Sequence, residues 1–363
     1  MEHDPRMPNA PSVHPSLRYS VHVVCDTPRT NKEDSEDRAE VLTDAHNLHL
    51  LVADGATGLG TIRVEHKAPG WFAAEWLAQT FRNDACSSSP REIIQKANRS
   101  MREYLLALVR QGTFTEQEMT DLCSAVCVAA HIDKTKNLLR FAATKADCWL
   151  LVERGGTFHW LTTYPPKDMD YGPIKAAVDA ERAGAIPSVM GSLNHPAVQP
   201  SVLNGRRDAN NPDGTGNGRI NGAPPALLDL YIEDNESAPF PLQPGDKIYA
   251  GSDGLLPLMS REIYDIEDAA TGAWTGREEQ RRFVEQAILA GGKDELLKRI
   301  KQREKEDPAA VRYPHIKEKT GDDQALIEII VHEAAGPHLP AAMRNTVRAE
   351  LTASVQKEPE TGI

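Results

Sequence analysis

Apolar positions along this chain fall in short runs whose period changes several times. Tyr19–Cys25 alternates and then runs apolar, and Leu48–Ala53 is an apolar run stopped by Asp54-Gly55; both predict strands. A helical block follows. Trp71–Phe81 repeats apolar residues at helical spacing, and Ser89-Pro90-Arg91-Glu92 is a capping box opening a helix to about Val109. Thr115-Glu116-Gln117-Glu118 has the same form and predicts a short helix. Strand-length runs return at Ser124–Ile132, Leu138–Thr144, Trp149–Glu153 and Thr157–Leu161, separated by hairpin-like loops. Leu227–Ile232 and Lys247–Gly251 also read as strands. Thr275-Gly276-Arg277-Glu278 caps a helix to Leu289, a charged helix starts near Lys293, and Ala325–Val331 is a last strand.

Strands, helices, strands, helices, strand is the order of an α+β protein with largely antiparallel sheets, not of alternating βαβ units. Residues 1–17 are Pro-rich and predict a disordered lead-in. The main domain spans 18–333, and 334–363 form a polar tail in which Ala341–Val355 has the spacing of an amphipathic helix. Between about 163 and 226 the pattern dissolves into Pro, Gly and Asn, which predicts a flexible insert of functional or disordered character.

Composition narrows the partners. Lys and Arg number 41 against 53 Asp and Glu, a net charge of −12 over 363 residues. That balance argues against nucleic acid or an anionic membrane as the main partner. No apolar run approaches the ~20 residues of a membrane span, and no signal-peptide core is visible. The 5 cysteines are odd in number and lack CxxC spacing, so a reducing, cytoplasmic setting is expected. His46 and His49 have no matched ligand pair and read as exposed or satisfied side chains.

The chemistry is carried by carboxylates. Glu36-Asp37, Asp54, Asp253 and Asp322-Asp323 each stand at the tip of an apolar run, with glycine directly after Asp54 and Asp253. One Asp-Gly is an ordinary turn. Four such sites, if they converge, need a cation to stay ionised together. Oxygen-only donors suit Mg²⁺ or Mn²⁺ rather than Zn²⁺, and a carboxylate bridging two such ions would acidify a water for attack on phosphorus.

In order and spacing, Glu36-Asp37-Arg38, Asp54-Gly55, Gly245-Asp246 with Gly251-Ser252-Asp253-Gly254-Leu255, and Asp322-Asp323 resemble the metal-dependent protein phosphatases of type 2C. The resemblance runs from about Tyr19 to Val331. It implies a sandwich of two antiparallel sheets flanked by helices, with a binuclear metal centre at one end. It further implies that Asp54 bridges both ions, that Asp253 and Asp322 hold one, and that Glu36 and the Gly55 carbonyl hold the other. Asp37 would orient water, and Asp147 would serve a third, weaker metal. Departures are visible. The third-metal motif reads Ala146-Asp147-Cys148-Trp149, Lys32 stands where the family has a phosphate-binding Arg, and Ala56-Thr57-Gly58 lacks a His general acid. Lysine offers a phosphate a point charge, not a bidentate fork. The expected activity is hydrolysis of phosphoserine or phosphothreonine in proteins, as in signalling. A pseudophosphatase binding module and a phosphatase of a small phosphorylated metabolite are the alternatives, and the oligomeric state stays open.

Overall fold

The computed structural model of the protein describes residues 17–26, 35–56, 64–113, 115, 123–163, 180, 183–185, 200, 210, 218–256, 275–306 and 323–333. Lys32, Asp322, the helix expected after Thr115, most of the insert and the tail lie outside the described residues.

Two antiparallel sheets form the centre. The first joins β1 (Arg18–Asp26), β11 (Gln324–His332), β10 (Lys247–Gly251), β6 (Trp149–Arg154) and β7 (Thr157–Trp160), in that spatial order. The second joins β2 (Arg38–Thr43), β3 (Asn47–Gly55), β4 (Ala125–Asp133), β5 (Leu138–Thr144) and β8 (Ile232–Asp234). The short β9 (Phe240–Pro241) also pairs with β5.

Side-chain alternation sorts each strand between two cores. Leu48, Leu50 and Val52 of β3, with Val126 and Val128 of β4, meet Leu150, Ile248, Ile327 and Ile329 of the opposite sheet. The intervening Leu51, Ala53, Cys127 and Ala129 turn outward against α1 (Pro69–Asp84) and α2 (Pro90–Arg110). Across the sandwich, Leu151, Tyr249 and Leu326 turn outward against Val284, Ile288, Leu296 and Ile300 of α4 (Thr275–Glu306). The order of layers is therefore helix, sheet, sheet, helix. Strands covered on both faces need apolar residues at consecutive positions, which is why β3 and β11 read as near-continuous apolar runs, interrupted only by His49 and Glu328 between their first and last apolar residues.

Helix ends follow the sequence. The Ser89 N–H donates to Glu92 Oε2 at 2.8 Å and the Glu92 N–H donates to Ser89 Oγ at 3.3 Å, so the capping box is complete. α4 is two helices fused across Gly291 and Gly292, with Gly292 at φ 65°, and the break falls between the two helices expected from the sequence. Two elements differ from expectation. Residues 225–231 are helical, α3 (Pro225–Leu228) followed by a 3₁₀ turn, because Pro225 occupies a first helical turn that needs no N–H. β2 has five half-buried residues and one exposed, so it lacks the apolar contrast that marks the central strands.

Candidate metal centre

The strand registers bring the acidic sites to one end of the sandwich. Gly55 closes β3 opposite Ala125, Gly251 closes β10 opposite both Trp149 and Leu326, and Asp26 closes β1 opposite Gln324. Asp54, Asp147, Asp253 and Asp323 thus stand at or just beyond these tips. Glu36, Asp37 and Asp323 are buried there, while Asp54, Asp147 and Asp253 are half-buried.

Backbone contacts link the motifs in a chain. The Gly55 N–H donates to the Glu36 carbonyl at 3.2 Å, and the Glu36 N–H donates to Asp323 Oδ2 at 2.6 Å. Ser252 and Ala325 exchange two hydrogen bonds of 3.0 Å, Ser252 N–H to the Ala325 carbonyl and Ala325 N–H to Ser252 Oγ. Next to that pair, a Cβ on Gly254 would collide with the Asp323 carbonyl. A Cβ on Gly55 would lie 2.8 Å from the Glu36 carbonyl and 2.6 Å from the Gly70 carbonyl carbon, so the Asp54 turn sits directly on the start of α1. Neither glycine takes a left-handed backbone. Both are required by close approach, not by turn geometry.

The Glu36-Asp37 turn is held from behind. Arg38 donates through Nη1 to the Ser35 and Asp37 carbonyls at 2.6 and 2.7 Å and through Nε to Glu75 Oε2 at 2.8 Å, while its guanidinium lies 5.0 Å from the Trp71 ring centre. Asp37 and Glu36 are thereby placed by α1 as well as by β3.

Electrostatics reports the same convergence. Burial pushes the Cys148 thiol well above its ordinary pKa, and the charges of Asp54, Cys127, Asp37 and Asp253 raise it further. Carboxylates distant in sequence therefore act on one buried sulfur. Burial also raises the Cys25 thiol, with Asp37 and Asp323 adding to the effect. Among the described residues no three His, Cys, Asp or Glu side chains are drawn together closely enough to hold an ion; Asp322, expected to complete the set, lies outside them. The donors fit a hard divalent cation by type. They are oxygens, and Cys148, the nearby soft donor, stays a thiol.

For four residues named from the sequence, the structure shows partners that the sequence did not reveal. Asp323, next to the expected ligand Asp322, is the residue that bonds Glu36. Asp246, part of the resembling motif, lies at the far end of β10, where Arg154 clasps it through Nε and Nη2 at 2.7 Å each. His49 does have a partner, stacked on His131 with ring centres 4.6 Å apart. Trp149, a departure from the motif, is buried and donates from Nε1 to the Ser252 carbonyl at 3.0 Å.

No protein-family model and no curated protein matches the chain. Solved structures do align with it. The S. agalactiae serine/threonine phosphatase is 13% identical with a TM-score of 0.44, over 87% of this chain and 100% of that one. RsbX in complex with magnesium is 11% identical with a TM-score of 0.42, over 87% and 95%. The catalytic domain of the phosphatase PstP with 2 manganese ions is 13% identical with a TM-score of 0.41, over 87% and 99%. At these identities and TM-scores the chemistry has to be argued from the site itself.

Proposed function

We propose that the protein is a metal-dependent phosphatase that hydrolyses phosphoserine and phosphothreonine in proteins. The observation that carries this reading is the convergence of Asp54, Asp37 and Asp253 around Cys148, together with the Glu36–Asp323 bond joining two strand tips. Glu36, Asp54, the Gly55 carbonyl, Asp253 and Asp322 would hold two Mg²⁺ or Mn²⁺ ions, and Asp147 would serve a third. Such ions supply Lewis acidity, making water a better nucleophile and neutralising charge on the phosphoryl group. Asp37 would accept a hydrogen bond from the attacking water and aim it. Lys32 would offer a charge to the phosphate.

Trp149 bears on the binding-module alternative. Its indole fills the space beside Gly251 and bonds the Ser252 carbonyl, so the residue serves packing next to Asp253 and its presence does not weaken the catalytic reading. The test is turnover of p-nitrophenyl phosphate with and without Mn²⁺. Metal-dependent release of nitrophenol is expected, and none at any Mn²⁺ or Mg²⁺ concentration overturns the enzyme reading. A phosphopeptide panel set against small phosphorylated metabolites then separates the two substrate classes.

A further inference from the structure

The end of the long insert returns to the sandwich and is fixed there by buried amides. Ile220 pairs with Ala125, exchanging hydrogen bonds of 2.8 and 3.1 Å. Asn98 of α2 brackets the next turn, donating from Nδ2 to the Ala223 carbonyl at 2.9 Å and accepting the Gly222 N–H at 3.0 Å. Arg102 donates to the Gly222 carbonyl at 2.7 Å. On the other side Asn210 clasps the Arg219 backbone, taking its N–H at 3.1 Å and donating to its carbonyl at 2.9 Å. Asn98, Asn210 and Asn221 are all buried. Buried, satisfied amide networks of this sort specify one backbone arrangement.

That arrangement presents Arg219 at the acidic end. Asp54 lies opposite Val126 in the β3–β4 ladder, and Val126 faces the core between the sheets. The pairing continues one step past the strands, where the Ala56 N–H donates to the Ser124 carbonyl at 3.0 Å. Ser124, two residues before Val126, lies by alternation on the same face as Asp54. Arg219 Nη1 reaches Ser124 Oγ at 3.4 Å. Among the described residues its Nε–H meets no acceptor and no carboxylate pairs with it. Arg38, the other guanidinium beside the site, is already taken by Glu75 and two carbonyls.

We propose that Arg219 is a phosphate-binding residue, supplied by the insert to the face of the sandwich that carries Asp54. The inference rests on the phosphatase reading and extends it. An acidic end repels a phosphoryl dianion wherever cations do not offset it, and a guanidinium forks onto two phosphate oxygens where a lysine cannot. It also gives the insert a role at the chemistry in addition to any role in choosing protein substrates.

The test is calorimetric titration of the full chain with inorganic phosphate at saturating Mn²⁺, beside p-nitrophenyl phosphate kinetics. In Arg219→Ala, phosphate Kd and substrate KM should both rise about fivefold or more, with kcat changed by less than about threefold. Arg219→Lys should recover part of the loss, and Mn²⁺ affinity should not change. If Arg219→Ala melts early, Arg219→Gln, which keeps a donor for Ser124, carries the same comparison. A phosphate Kd that is the same in wild type and variant, or no phosphate binding by wild type, overturns the assignment. Turnover by wild type in that case leaves the phosphatase reading standing. Phosphate binding lost in the variant, with no turnover by wild type, supports Arg219 and removes the phosphatase reading.

Discussion

β3 and β4 carry acidic residues at both ends, and the two ends treat them oppositely. At the far end Asp44 accepts the His46 and Asn47 N–H groups at 2.7 Å each, and these bonds hold its pKa down to about 2. Asp133 accepts the Thr135 and Lys136 N–H groups at 3.0 Å, and Asp246 is clasped by Arg154. Asp44 and Asp133 are satisfied by donors within three residues of themselves, and Asp246 by the Arg154 guanidinium and the Gln243 N–H at 2.8 Å. At the site end, Asp37, Asp54, Asp253 and Asp323 come from four separate stretches and their charges fall on the shared neighbours Cys148 and Cys25. An acid satisfied by its own turn shapes the backbone. Acids gathered from afar set their charges against one another, and a divalent cation among them would offset that repulsion.

The contrast is broken most severely at Asp54. Asp54→Asn should lower kcat about a hundredfold or more with little change in melting temperature. Retention of even about a tenth of wild-type kcat at saturating Mn²⁺ would remove the bridging role. At the far end the expected loss is in stability instead. Asp246→Ala strands a partly exposed Arg154, so denaturant unfolding should show about 2–3 kcal/mol of destabilisation, with kcat of the folded protein kept. If activity collapses while stability holds, Asp246 belongs functionally to the site end.

Chelation should act on the site end alone. EDTA should lower the melting temperature by several degrees at most, roughly the mass-action contribution of bound metal, with near-UV circular dichroism retained. Loss of that signal at 25 °C would make the metal part of the fold. The smallest effect is expected from acid. Burial first, and then His131, hold the His49 pKa down to about 4 from an ordinary 6.5, so the native state binds fewer protons than the unfolded chain between those values. Stability from this pair is therefore present above pH 6.5 and lost as pH falls toward 4. Asp44 adds a second loss only below its ordinary 3.8. His49→Phe should flatten the upper slope in melting temperature against pH; an unchanged slope assigns it elsewhere.

What was legible in the chain followed from burial contrast. β3, β4 and β11 were plain because both faces are covered, and the two helices of α4 because Gly291-Gly292 interrupts them. β2 was missed because its residues are half-buried on both sides. The acidic tips could be read as a set, since each ends an apolar run. Which member of Asp322-Asp323 bonds Glu36 could not, nor could the His49–His131 stack, because both depend on register between strands far apart in sequence. Asp246 looked like its neighbours in the motif. It differs in standing five residues before the strand's other tip, a whole strand length from Gly251. Arg219 gave no signal in a stretch without periodicity.

The pairing of β1 with β11 sets a timetable for the nascent chain. β2, β3, β4 and β5 lie consecutively between Arg38 and Thr144, so the main part of one sheet can assemble while the rest is still being translated. The other cannot, since Ser20 and His332, bonded at 2.8 Å, are 312 residues apart. Until β11 leaves the ribosome, β1 waits without its neighbour and the inner apolar face of the β2–β5 sheet lacks part of its cover. Asp54 is in place early, whereas Asp253 and Asp323 arrive with the last strands. The ion site would therefore be completed in the same late step that closes the sandwich, and an incomplete chain would be both sticky and inert.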